Sequence, residues 1–301
     1  MSTFLSSRLD AVLAQPEMKG IRRTDFVYAS SLGFMDGTGK ISASCRRSVW
    51  YYMKKQHKDR PVNLLTARKA LYGEYCAMGE VELAKRARVY VADEVPVVDE
   101  ARRISGRIDL VVIDPEATTK PYVIVEQKSI YGFYSTKGTI KRDQDGLYTV
   151  RPKDLAQIAF YAWVYQEAIS YAILRYITRD IGDARDHVVV VAPDGSIAAN
   201  GRDSGYTVGQ VYKWVESVTS HYDSNTLPPQ DFQLVYDKET LKAKADAGEF
   251  GKTDTEKINK GWKITKGDFL CGYCDYVHAC WGDCSLPRDL TVSDALHALG
   301  R

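Results

Sequence analysis

The chain has 301 residues, 45% of them hydrophobic and 27% charged, which is the make-up of a folded globular protein and excludes disorder for the bulk of it. A formal net charge of +2 does not announce a nucleic-acid partner, although an average over all faces leaves room for a local basic groove. No stretch approaches the roughly eighteen apolar residues of a membrane span, and the opening MSTFLSSRLDAVLAQPEMKG lacks the basic-then-apolar pattern of an export signal, so a cytoplasmic protein without a membrane partner is expected.

Residues 1–40 mix short helical patterns with the turn-rich SSLGFMDGTGK and are expected as an N-terminal extension, with 41–301 forming one domain. Within that domain, 41–90 is expected as a helical segment, 91–240 as the core and 241–301 as a cysteine-containing end. SASCRRSVWYYMKKQH and LLTARKALYGEYCAMGEVELAKRARV are rich in helix formers. VYVADEVPVV, RIDLVVID and PYVIVEQKS are β-branched runs punctuated by Asp, Gly and Pro, the pattern of consecutive paired strands. A polar hairpin-like stretch, STKGTIKRDQDGLYTVRP, precedes an amphipathic helix, KDLAQIAFYAWVYQEAI, and AILRYITRD and DHVVVVAPDG supply further strands. KADAGEFGKTDTEKINKGWKITKGD is charged and nearly free of large aliphatics, and is expected as a surface loop. There is no repeat period and no G-x-x-x-x-G-K-[ST] loop, so no nucleotide-driven motor is encoded. The order of elements predicts an α/β fold, with helices around one mixed sheet.

The chemistry concentrates in GRIDLVVIDPEATTKPYVIVEQKS. Asp109 lies on one apolar strand, and Glu126 and Lys128, two apart on the next, project to one face. A divalent cation between the two carboxylates would relieve their burial, polarise a phosphodiester and activate water, with an ammonium steadying the charge that develops. A structural salt bridge at a strand end is the plainer alternative. On the helix that follows, Gln157 and Tyr161 stand at i and i+4, on one face.

Gly106-x-x-Asp109, Glu126-x-Lys128 and Gln157-x-x-x-Tyr161, in that order, resemble the signature of the PD-(D/E)XK nuclease superfamily and its RecB-like branch. The resemblance implies a restriction-endonuclease-like mixed central sheet flanked by helices, Mg or Mn held by Asp109, Glu126 and the Gln127 carbonyl, and a catalytic group of Asp109, Glu126, Lys128, Gln157 and Tyr161. It also implies a helix-borne ligand four residues after a glycine. From Gly73 that rule reaches Ala77, so Glu74 or Glu80 is the expected substitute.

Cys271-x2-Cys274-x5-Cys280 supplies three thiols in a turn-rich stretch. Cys284 would close a local zinc site, whereas an iron–sulfur cluster accepts a remote fourth thiolate. In ISASCRRSVWYY, Cys45 precedes the nuclease-like strands, much as in the iron–sulfur CRISPR-associated exonucleases and the nuclease subunits of bacterial end-resection enzymes. That resemblance implies a 4Fe-4S cluster on Cys45, Cys271, Cys274 and Cys280, joining the N- and C-terminal segments, with structural Zn as the alternative. Cys76 is expected to pack and His278 to lie at the surface. Arg46, Arg47, Lys54 and Lys55 interleave with Trp50, Tyr51 and Tyr52. This suits a single strand of DNA and equally an ordinary amphipathic helix; Lys137, Lys141 and Arg142 are further candidates for the groove. The activity implied is a DNA exonuclease working on single-stranded or frayed ends, fed by a helicase or a recombination or CRISPR-type partner. The alternatives are a non-catalytic DNA-binding adaptor and a structure-selective endonuclease.

Overall fold

The β-branched runs in the middle of the chain do form one sheet. A computed structural model describes residues 23, 25–56, 58, 64–131, 139–140, 149–179, 182–262, 266–272 and 274–282. Lys137, Lys141, Arg142 and Cys284 lie outside these residues. In chain order the elements are β1 (Val27–Tyr28), β2 (Phe34–Met35), β3 (Ile41–Ser42), α1 (Arg46–Met53), α2 (Leu64–Arg86), β4 (Tyr90–Asp99), β5 (Ile104–Ile113), β6 (Tyr122–Ile130) and α3 (Pro152–Val164). They continue with β7 (Ile169–Thr178), β8 (Ala184–Val191), β9 (Ser196–Ala199), β10 (Arg202–Thr207), α4 (Val208–Asp223), α5 (Lys238–Asp246), α6 (Lys252–Asn259), α7 (Phe269–Gly272) and α8 (Val277–Trp281). The chain divides into two units, one of Met1–Ser44 with Val62–Thr226 and one of Cys45–Pro61 with Leu227–Arg301.

In the larger unit the strands follow the order β1-β5-β6-β7-β8-β9-β10, with β4 along the other edge of β5. The sheet is mixed: β6 and β7 run parallel, while β5 and β6, and β7 and β8, run antiparallel. A parallel pair requires a crossover, and α3 provides it. Leu155 through Ala162 are all buried on this helix, as expected of a helix enclosed on every side. On the opposite face of the sheet, Leu110, Val123 and Val125 form a core with Ala84 and Val81 of α2. The segment expected as an extension contributes Phe26, Val27, Leu32 and Phe34 to buried positions, and its β1 pairs in parallel with Ile104 and Ser105. Thr207 opens α4 with a reciprocal cap: its hydroxyl accepts from Gln210 N at 3.2 Å, and the Gln210 side chain accepts from Thr207 N at 3.1 Å.

Two distant stretches of chain build the smaller unit. Val49, Tyr51 and Met53 form the buried face of α1, and Tyr51 stacks on Tyr276 at 5.5 Å and donates to Ala279 O at 2.9 Å. Cys45 provides no side-chain cap for α1. Asp231 does so from far along the chain, accepting from Arg46 N at 2.8 Å while pairing with the Arg46 guanidinium at 2.6 Å. Arg47 donates to Pro228 O at 2.6 Å. Arg46 and Arg47 are therefore held inside this unit, which favours the amphipathic-helix alternative for those two residues over a phosphate-tracking one. Within the stretch expected as a surface loop, residues 244–246 close α5 and 252–259 form α6. Asp237 caps α5 through Thr240 N at 2.7 Å, and Leu241 and Ala245 make a buried face only two residues wide, too small to register as a period.

Candidate active site

The site opens where β6 parts from β5. Their pairing stops at Leu110 opposite Val125, and β1 takes up the same edge of β5 only at Ser105, so the backbone over 106–109 has no strand on that side. Tyr161 fills the gap. Its hydroxyl accepts from Arg107 N and donates to Arg107 O, each at 3.1 Å, as a neighbouring strand would. A Cβ on Gly106 would come within 2.5 Å of that hydroxyl and 2.7 Å of the Ala29 methyl, so the glycine of the first motif makes room for the tyrosine of the third.

Asp109 bridges the parting strands by accepting from Gln127 N at 2.7 Å. Lys128 Nζ donates to Glu126 Oε1 at 2.6 Å and to Gln157 Oε1 at 2.9 Å, and Gln157 Nε2 donates to Tyr161 Oη at 3.2 Å. Asp109, Glu126, Lys128, Gln157 and Tyr161 are thus one connected group. Glu126 is 1% exposed and its Oε2 has no hydrogen-bond partner. Burial, with the neighbouring Asp109 charge adding to it and Lys128 opposing, pushes the Glu126 carboxyl up to about 8. Burial raises Asp109 as well, against the pull of Lys128 and Gln127 N. Lys128 is also buried, which works against its charge, but the Glu126 and Asp154 carboxylates outweigh this and raise it.

Two carboxylates and a carbonyl with an orphaned buried oxygen fit a hard divalent cation, which takes oxygen ligands and would remove the cost of that oxygen. Among the described residues no three His, Cys, Asp or Glu side chains stand together as a metal-holding group, so no third carboxylate joins the pair. Glu80 pairs with Arg175 at 2.8 Å. Arg175 stands opposite Gln127 in the ladder, on the face of β6 turned away from Glu126. Glu74 is half-buried on α2 beside Gly73, which packs against Ser129.

Two participants were missed from the sequence. Asp154, one helical turn before Gln157, is held by Tyr176 Oη at 2.7 Å, and Tyr176 is the cross-strand neighbour of Lys128. The signal for Asp154 lay in KDLAQ, three positions ahead of Gln157 on the same helix face.

In the smaller unit Cys45, Cys271, Cys274 and Cys280 are all unpaired thiols. Burial pushes Cys45 up to about 12 and Cys271 to about 11, with Cys274 adding to both. Donors point at the sulfurs: Tyr276 N at 3.4 Å from Cys274 Sγ and Arg47 Nη1 at 3.5 Å from Cys280 Sγ. The donor set suits a soft metal, but the described residues do not close into a ligand group, and the expected clasp between the chain's two ends is not shown.

A family profile described as the PD-(D/E)XK nuclease superfamily matches residues 35–281. The chain belongs to that superfamily, and its mixed sheet flanked by helices accords with the fold. No curated protein sequence matches the chain. A solved structure described as the crystal structure of SSO0001 aligns over 74% of this chain and 88% of its own, at 15% identity and a TM-score of 0.41. No helix among the described residues is long and apolar enough to cross a membrane.

Proposed function

We propose that this chain is a RecB-like DNA exonuclease that hydrolyses phosphodiester bonds with Mg or Mn held by Asp109, Glu126 and the Gln127 carbonyl. The observation that carries this reading is the buried, unpartnered Glu126 Oε2 beside a second carboxyl raised by burial. Such a cation, when bound, polarises the phosphodiester and makes a water molecule more acidic. Asp109 and Glu126 face one another across the gap between β5 and β6 and supply negative charge. Lys128 directs an ammonium at the same point, where it orients the attacking water and offsets charge on the phosphate oxygens. Gln157 fixes the ammonium, and Tyr161 fixes both Gln157 and the β5 backbone. The order of the three motifs supports the RecB-like branch, and an exonuclease without a motor sequence leaves unwinding to a separate helicase or recombination partner.

Digestion in Mn2+ of linear single-stranded, linear double-stranded and closed circular single-stranded DNA tests this. Linear strands should be consumed and circles spared, with Asp109→Ala and Lys128→Ala each slowing cleavage by about a hundredfold or more, the cost of losing a charge-stabilising group. If the wild type leaves all three substrates as intact as the variants do, the chain is an adaptor with a nuclease fold; cleavage of circles makes it an endonuclease.

The four thiols carry a second part of the proposal, a 4Fe-4S cluster on Cys45, Cys271, Cys274 and Cys280. Their shared unit, mutual electrostatic influence and sulfur-directed donors support it. Anaerobic purification followed by iron, sulfide and zinc analysis decides. Stoichiometric zinc without iron would return the site to the zinc alternative.

A further inference from the structure

Asp109 has a basic neighbour that the nuclease motif does not use. Arg107 precedes it by two positions on β5, so the two side chains leave the strand on the same face, and the Arg107 charge counteracts the rise of the Asp109 carboxyl. Its root is fixed from both sides, because the Tyr161 hydroxyl holds its amide and its carbonyl. Its guanidinium is not buried: Nε meets the Glu94 carboxylate, and the two side chains are 46% and 50% exposed. Lys128, by contrast, is engaged by Glu126 and Gln157.

Glu94 is the strained member of the pair. On β4, Asp93 stands opposite Leu110 and Val95 opposite Ile108, which sets Glu94 across from Asp109. There its φ is +55°, a left-handed conformation that a residue with a Cβ adopts only at a cost. An acidic residue is thus held in a costly backbone conformation beside the proposed cation site and turned toward Arg107, in a half-exposed ion pair of the kind that contributes little to stability.

We propose that Arg107 is the phosphate anchor of this active site. Its guanidinium takes a backbone phosphate of the nucleic acid next to the Asp109–Glu126 pair, and Glu94 occupies the guanidinium until the phosphate displaces it. A planar guanidinium matches two phosphate oxygens at once, and a half-exposed, salt-screened carboxylate is an exchangeable partner. This rests on the nuclease reading above and adds to it the group that holds the substrate.

The test is fluorescence anisotropy of a short labelled DNA strand with the full chain in Ca2+ buffer over a series of salt concentrations, run beside Mn2+ digestion of the same strand. Arg107→Gln should weaken binding about tenfold and flatten the slope of log affinity against log salt by about one. It should also raise KM while changing kcat little. Arg107→Lys should restore the slope but only part of the affinity. Glu94→Gln should tighten binding, and that gain should vanish in the Arg107→Gln background. Unchanged affinity and slope in Arg107→Gln, with wild-type cleavage intact, overturn this inference alone. So does a Glu94→Gln gain that survives without Arg107. A wild type that neither binds nor cuts the strand overturns the nuclease reading and this inference together.

Discussion

Glu126 and Asp109 share a buried pocket in which neither ionises readily, and this sets how the site responds to protons. The Glu126 carboxyl stays protonated in the folded chain up to about 8, whereas an unfolded chain releases that proton near the ordinary carboxylate value of about 4.3. The folded state therefore binds more protons across that interval. Its advantage is complete below the ordinary value and is lost as pH rises through about 8. Metal-free Glu126→Gln should melt at a higher temperature than the wild type at pH 8, with the gap closing toward pH 5, while cleavage is abolished. Cation binding must displace the proton, so calorimetry in two buffers of different ionisation enthalpy should show proton release near neutral pH; identical heats would remove the raised carboxyl from the account. Asp109, Glu126, Lys128, Gln157 and Tyr161 were legible because strand alternation and the i, i+4 helix spacing act locally. Glu80 was not, because what occupies it is an arginine on a strand nearly a hundred residues away, and no local pattern encodes that pairing.

The elements explain why a glycine, an aspartate and a tyrosine far apart in sequence act together. β5 loses its neighbour over four residues, and α3 repairs the loss with one hydroxyl. Gly106→Ala would push a methyl group into that hydroxyl and should cost about 1–3 kcal/mol, as overpacking does. A urea midpoint equal to that of the wild type would show that α3 yields without cost. The same change should reduce cleavage, since Arg107 and Asp109 follow the displaced backbone. The strands around this gap were plain from their β-branched runs, but the gap was not, because β1 is only two residues long, too short to show a period. α5 and α6 were obscured for a different reason: α5, KETLKAKAD, rests on propensity and the Asp237 cap with only Leu241 and Ala245 buried, and α6, KTDTEKIN, buries no residue, so neither has an apolar period to detect.

Across the whole chain, every residue of the proposed cation site belongs to the larger unit, and all four of the proposed cluster thiols belong to the smaller. The smaller unit is assembled from the two sides of the larger one's main sequence, and Asp231 joins its two pieces. The Asp231 side chain is 1% exposed and that of Arg46 12%, so Asp231→Ala takes a nearly buried carboxylate away from the Arg46 guanidinium and its side-chain cap away from α1. The loss should be about 3–5 kcal/mol, seen as faster hydrogen exchange at the α1 amides; unchanged exchange would mean that the hydrophobic face alone holds the helix. This division also orders events during synthesis. α1 leaves the ribosome ahead of its partners in the smaller unit, Asp231, Tyr276 and Ala279, which follow only after the whole stretch 62–226 has been made, a delay on the order of ten seconds at typical translation rates. A nascent chain thus carries its catalytic strands before the residues that cap α1 and stack on its Tyr51 have been made.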